Sequence, residues 1–163
     1  MNYSVKASII VDTHYHISNI LDGDTIMVQK LDSKEEREIR LYGIDSPEVK
    51  KTRKLRQEER ESHLPGQLLI ELGNKSTNYL RQISPIGTHC TIIQEKKNTT
   101  DFYGRSLAYV ILPDGSCLNE IMIQAGYAKP YIKNYCTKLP DYQELNYLAI
   151  KKRLGLYRYV SQY

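Results

Sequence analysis

The sequence predicts an α+β fold that is mainly β, a five-stranded OB-type barrel carrying three helices. Two observations predict it. Five short segments rich in Ile, Val, Thr and Tyr are bounded by turn residues, and three segments have helical periodicity or helix-end signals. Their order is three strands, a helix, two strands and two helices, which is the plan of a small barrel often used as an oligonucleotide platform. The length of 163 residues suits one domain, and such a chain buries roughly two-thirds of its unfolded surface without staples.

The first strand is expected over Lys6 to Ser18 and the second over Thr25 to Leu31, with Asp22-Gly23 as a strong turn dipeptide between them. Arg37 to Ile44 alternates, with Ile39 and Leu41 on one face, and completes a meander. A charged loop then runs from Val49 to Pro65. Leu68, Leu69, Leu72, Tyr79, Leu80 and Ile83 share a 3.6-residue period, and Pro85 and Gly87 end that helix. Two strands follow over Thr88 to Lys96 and Arg105 to Leu112. Ser116 can cap a short helix over Leu118 to Gln124, which Gly126 ends. The last helix has Pro140 near its first turn, acids early, and Lys151, Lys152 and Arg153 late before Gly155, an order that suits the helix dipole.

Composition narrows the function classes. With 40% hydrophobic and 26% charged residues the chain is ordinary for a globular protein, and no apolar run approaches the roughly 18 residues of a membrane span. Ile9-Ile10-Val11 is too short for a signal-peptide core. The expected compartment is the cytoplasm if Met1 is native, or outside it if a signal was removed. Three cysteines, Cys90, Cys117 and Cys136, leave at least one free thiol and no disulfide framework. His14 and His16 would share a strand face and could hold a metal, but an ordinary surface pair explains them too. Tyrosine rings can stack on bases, but most of the 14 are expected to lie half-buried in sheets, where their polar tips reach water. Net charge is +4, and Val49 to Ser62 holds six cations against three anions, a run that is either solvated or a contact for an anionic strand.

Three segments gather the chemistry: Asp22-Gly23-Asp24-Thr25, Arg40 to Glu48 (RLYGIDSPE), and Asp101 to Arg105 (DFYGR). Each alone reads as a turn. Together they place Asp24, Asp45 and Glu48 at strand ends, with Arg40 and Arg105 nearby if the barrel closes. Carboxylates with a main-chain carbonyl suit Ca²⁺ or Mg²⁺. Arginines beside such a cation suit phosphoryl transfer, where negative charge builds on equatorial oxygens, and a third acid can act on water. Surface ion pairing among the same residues is the competing reading.

These segments, with DFYGRSLAYV at 101–110 and KKRLGLY at 151–157, resemble the staphylococcal nuclease (thermonuclease) family over about 17–157. The resemblance implies a single nuclease domain spanning 1–163, with an OB-fold barrel and three helices. It also implies a Ca²⁺-dependent phosphodiesterase acting on single-stranded or frayed DNA and RNA, as a monomer and away from membranes. By similarity Asp24, Asp45 and the carbonyl of Ser46 bind calcium. Glu48 is the general base or orients water, and Arg40 and Arg105 grip the scissile phosphate. Water attacks phosphorus, the 5′-oxygen leaves, and 3′-phosphate products result. Tyr103 contacts a terminal phosphate, and Tyr131 or Tyr135 provides a stacking wall.

The chain departs from the family in having Ser46 where Thr is usual; the implied ligand is a main-chain carbonyl, and Pro47 still keeps Ser46 extended. A strict pleat would put Arg40 and Asp45 on opposite faces, so Asp45 must lie beyond the strand end, with Gly43 as the bend. A catalytically inactive module that holds nucleic acid or protein is the alternative. Acids in a cleft repel phosphate unless a cation intervenes, so a pure binder has no use for all three carboxylates.

Overall fold

A computed structural model of the chain describes residues 8–163. β1 (Ile9–Asp22), β2 (Thr25–Lys30) and β3 (Glu36–Leu41) form the expected meander, and a two-residue strand β4 (Ile44–Asp45) follows. α1 (Arg53–Ser62) and α2 (Gly66–Ile83) lead to β5 (His89–Glu95) and β6 (Ser106–Ile111). α3 (Leu118–Gln124), β7 (Lys129–Pro130) and α4 (Leu139–Lys151) complete the order, with short 3₁₀ turns at Ile132–Asn134 and Gly155–Arg158. The part of the first expected strand at residues 6–7 lies outside the described residues.

β1-β2-β3-β6-β5 closes into a barrel, with β4 and β7 as a separate small sheet. The 14 residues of β1 serve both neighbours: its N-terminal half pairs with β5 and its C-terminal half with β2. The register shifts between Asp12 and Tyr15, where His14 has φ +68°, so strict alternation fails at the expected His14–His16 pair. Four barrel pairings are antiparallel, but β3 and β6 run parallel, Arg40 opposite Leu107. An all-antiparallel meander leaves an edge at β3; β6, returning antiparallel to β5, reaches that edge in the parallel sense and closes it.

Two expectations need correcting. Among the described residues there are four α-helices and not three, because Arg53–Ser62, inside the charged stretch expected as a loop, is a helix. Thr52 caps it by accepting from the Leu55 N–H, and Leu55 anchors it against Leu69 and Leu72 of α2. Charge hid a helix that needs only one buried leucine. Second, six tyrosines are buried outright: Tyr15, Tyr42, Tyr109, Tyr142, Tyr157 and Tyr163. The Tyr42 and Tyr109 rings meet at 4.7 Å in the barrel core, so these rings fill volume that Phe or Trp fill elsewhere. Cys117 precedes α3 without a side-chain cap, and Ser116 bonds to Asp114 instead. All three cysteines are buried and free. Among the described residues no helix is long and apolar enough to cross a membrane.

Candidate active site

Two of the three sequence segments, Asp22 to Thr25 and Arg40 to Glu48, meet at the mouth of the β1–β2 hairpin. Asp22 pairs with Thr25, leaving Gly23 and Asp24 as the loop, and the Asp24 N–H donates to Asp22 Oδ1 at 3.0 Å. β3 ends at Leu41, and Gly43 turns the chain with φ +70°. A β-carbon there would sit 2.8 Å from Cys136 Sγ, so both conformation and space require glycine. Beyond this bend β4 pairs with β7, Asp45 opposite Lys129, and Asp45 swings back toward Arg40. The bend resolves the pleat conflict that the sequence poses.

Arg40 is the centre of the arrangement. Only 2% of it is exposed, yet it carries a full charge. Its Nη2 lies 3.3 Å from Asp24 Oδ2 and 3.3 Å from Asp45 Oδ1. Its Nη1 donates to the carbonyls of Asp24, Leu41 and Ile44 at 3.5, 3.1 and 2.8 Å. No acceptor among the described residues reaches its Nε. Burial alone lowers an arginine's pKa, but the two carboxylates outweigh it and hold the guanidinium charged. Arg40 therefore joins two acids from separate strands and does not project as an open arm. Burial alone would also raise Asp24; the Arg40 charge, then the Asp22 side chain, the Lys54 charge and the Ser46 N–H, hold its carboxyl well below the usual range. The Ser46 N–H donates to it at 3.0 Å, and the hydroxyls of Thr25 and Ser46 lie within hydrogen-bond reach of it as well.

Residues outside the sequence prediction complete the cluster. Lys54, from α1, places Nζ 2.9 Å from Asp45 Oδ1, 3.9 Å from Glu48 Oε2 and 4.0 Å from Glu58 Oε1. Glu58 Oε2 accepts the Glu48 N–H at 3.0 Å, and burial pushes its carboxyl up to about 7. Burial, reinforced by the Asp24 charge, pushes Asp22 up to about 8. Glu48 is raised too, by burial first, with Lys54 opposing and the Asp24 charge adding. Asp22 was legible as the residue that opens the Asp22-Gly23-Asp24-Thr25 turn. Lys54 and Glu58 were not, since nothing in a charge run separates site-facing from solvated members. α2 presses on the same loop: a β-carbon at Gly73 would meet the Pro47 carbonyl at 2.5 Å and that of Glu48 at 2.9 Å.

The donor set fits a hard cation. Asp45 Oδ2 and the Ser46 carbonyl receive no hydrogen bond from the described residues, and Asp24 Oδ1 accepts the Thr25 hydroxyl. Among the described residues no group of three or more His, Cys, Asp and Glu side chains is spaced to hold a metal. A cation here would rest on two carboxylates and one carbonyl, with water completing its shell, as oxygen-seeking ions accept.

The remaining sequence candidates separate into two groups. Tyr131 joins the cluster: its N–H donates to the Gly43 carbonyl at 2.8 Å, and its ring lies 5.5 Å from the Arg40 guanidinium carbon and 5.9 Å from Lys54 Nζ. Arg105, Tyr103 and Tyr135 make no contact with it among the described residues. Asp101 organises their turn by accepting the N–H groups of Tyr103 and Arg105 and by pairing with Arg105 Nε at 2.8 Å. Tyr103 is 80% exposed, and Arg105 lies 5.7 Å from its ring centre. Arg105 sits two residues before Leu107, the partner of Arg40, so it lies about 7 Å back along the sheet, with its Nη groups unengaged.

Comparison with known proteins agrees with this layout. Residues 38–159 match the family described as staphylococcal nuclease homologue. An uncharacterized endonuclease of Escherichia coli O157:H7 is 32% identical over 120 residues, covering 74% of this chain and 62% of that protein. The thermonuclease of Staphylococcus intermedius is 30% identical over 115 residues, covering 71% and 58%. A Methanocaldococcus jannaschii protein whose name states no activity is 29% identical over 163 residues, covering 91% and 75%. The chain thus spans about three-fifths of the length of the first two relatives.

Proposed function

From the premise that this chain belongs to the staphylococcal nuclease homologue family, we propose that it is a Ca²⁺-dependent nuclease hydrolysing phosphodiester bonds of DNA and RNA. The observation that carries the reading is Arg40, a buried cation drawing Asp24 and Asp45 together at 3.3 Å each from separate strands. A surface ion-pair network does not need a fully buried arginine, and a pure phosphate-binding module does not gather carboxylates. Two relatives bear the names endonuclease and thermonuclease, which supports nuclease chemistry at the level of the family.

In this reading Asp24, Asp45 and the Ser46 carbonyl hold the calcium ion, which when bound supplies charge neutralisation at the phosphate. Glu48 accepts a proton from the attacking water; a carboxyl raised above its ordinary value is better matched to that transfer near neutrality. Lys54 and the Glu58 contact fix where Glu48 points. Arg40 keeps the acids in place and offers its Nε–H, while Arg105 brings a half-exposed guanidinium whose free Nη groups suit the equatorial phosphate oxygens. Attack on phosphorus expels the 5′-oxygen and leaves 3′-phosphate ends. Tyr131 forms a wall beside the acids, and Tyr103 lies on the Arg105 turn, where it can meet a terminal phosphate. The whole is read as one domain.

The test is release of acid-soluble nucleotide from denatured DNA and from RNA, with calcium and with chelator, using Glu48→Gln as control. Calcium-dependent release reduced at least a hundredfold in the variant is expected. Folded wild-type protein that cuts neither substrate in any divalent metal would make the chain a binding module.

A further inference from the structure

α1 has three faces. At 100° per residue, Lys54, Glu58 and Glu61 lie together, and Lys54 and Glu58 reach the acid cluster. Leu55 and Ser62 turn inward against the body of the protein. Arg53, Arg56 and Arg60 fall within a 60° arc on the remaining face, all exposed, with exposed Lys50 and Lys51 just before the helix. None of these five cations has an ion-pair partner among the described residues.

This face costs the helix stability. Arg56 and Arg60 are a like-charged i,i+4 pair, and Arg53 and Arg56 a like-charged i,i+3 pair. The first turn has no acid but holds Arg53 and Lys54 at the positive end of the dipole. Glu59 could relieve the strain, yet it makes no ion pair among the described residues. Local rules broken with no structural return mark a surface shaped by a ligand.

We propose that the Arg53–Arg56–Arg60 stripe is a phosphate track that holds the nucleic-acid strand beyond the scissile bond. The identity of the ligand rests on the nuclease reading, because the stripe lies about one helix diameter, 10–12 Å, from the Lys54 face that touches Asp45. From Arg53 to Arg60 the axis rises about 10 Å, so the three guanidiniums are strung out far enough to meet more than one phosphate of a strand. Beside the stripe, a groove between α1 and α2 is lined by Lys51, Arg56 and Gln67, with Glu59 as its one acid, so polar surface continues from the stripe toward α2. Contacts of this kind carry no sequence preference; they lengthen the bound substrate and raise affinity for long strands over short ones.

The test is binding of a fluorescent 20-nucleotide strand in chelator, read by anisotropy across a salt series, for wild type and for Arg53→Gln/Arg56→Gln/Arg60→Gln. Losing three contacts should flatten the slope of log affinity against log salt by about 2, at about 0.7 per single-strand contact, and weaken binding at least tenfold at 0.1 M salt. The all-Lys variant, which keeps the charge, should retain the slope, and helical circular dichroism should match in all three. With calcium, KM for the long strand should rise while cleavage of a dinucleotide is unchanged. An unchanged slope overturns the proposal, even if the protein cuts well. An unchanged slope with loss of binding to phosphatidylserine vesicles would assign the stripe to a membrane surface instead. Wild type that binds with the expected slope but cuts nothing removes the nuclease reading and leaves the track standing.

Discussion

Replacing Arg40 by Met isolates the role of the buried guanidinium. The methionine chain fills similar space but returns nothing to Asp24 and Asp45, both about 95% buried. Breaking a buried pair by removing one partner costs about 3–5 kcal/mol, because a buried charge is left uncompensated. Here the lost group serves two carboxylates and three carbonyls, which places the cost at the upper end. Lys54 on Asp45 and the Ser46 and Thr25 donors on Asp24 stay, which keeps it from exceeding that range. Against a total stability of about 5–15 kcal/mol the loss is a third or more, and Tm should fall by about 10 °C or more. Urea unfolding at pH 7.5 and pH 2.5 measures it. The pH dependence has a definite sign. Arg40 depresses Asp24, so its contribution is fully present above the unfolded value near 4 and is lost as pH falls from there through the depressed folded value. The gap between wild type and variant should therefore narrow on acidification. A loss under about 1 kcal/mol at pH 7.5, or one equal at both pH values, would refute the electrostatic account of Arg40.

Three further perturbations test other parts of the site. Asp24→Asn should weaken calcium binding by about tenfold or more in a calorimetric titration, since one of two carboxylate ligands becomes neutral; wild-type affinity would remove Asp24 from the ligand set. Glu58 and Asp22, pushed up to about 7 and about 8, bind protons in the fold that the unfolded chain has released. Their share of the stability of the chelated protein is then fullest below about pH 4 and is lost as pH rises from there through 7 to 8, and Glu58→Gln should flatten the lower part of that fall. Thermal melts that rise from pH 5 to 8, or a variant with the wild-type profile, would contradict it. Gly73→Ala should gain about 1 kcal/mol of helix propensity yet lose more through the 2.5 Å approach to the Pro47 carbonyl, for a net cost of about 1–2 kcal/mol. A variant more stable than wild type would mean the loop yields to the new methyl group.

The sequence by itself determined the elements whose signals are local. Periodicity and turn dipeptides located the five barrel strands to within a few residues, and α2, α3 and α4 likewise, because hydrophobic spacing and Gly or Pro punctuation act over a few residues. It also singled out Asp24, Arg40, Asp45 and Glu48, since two short segments carry them in a recognisable order. Only the tertiary structure decided the rest, for reasons of distance. The parallel β3–β6 closure depends on where a strand 65 residues later arrives. Lys54 and Arg56, nearly identical in sequence terms, differ because a helix turns one toward Asp45 and the other to solvent. Arg40 looked like an open phosphate arm in a strand ending, and became a buried clamp because Gly43 folds Asp45 back over it. Charge is written residue by residue, but which charges meet is set by chain closure.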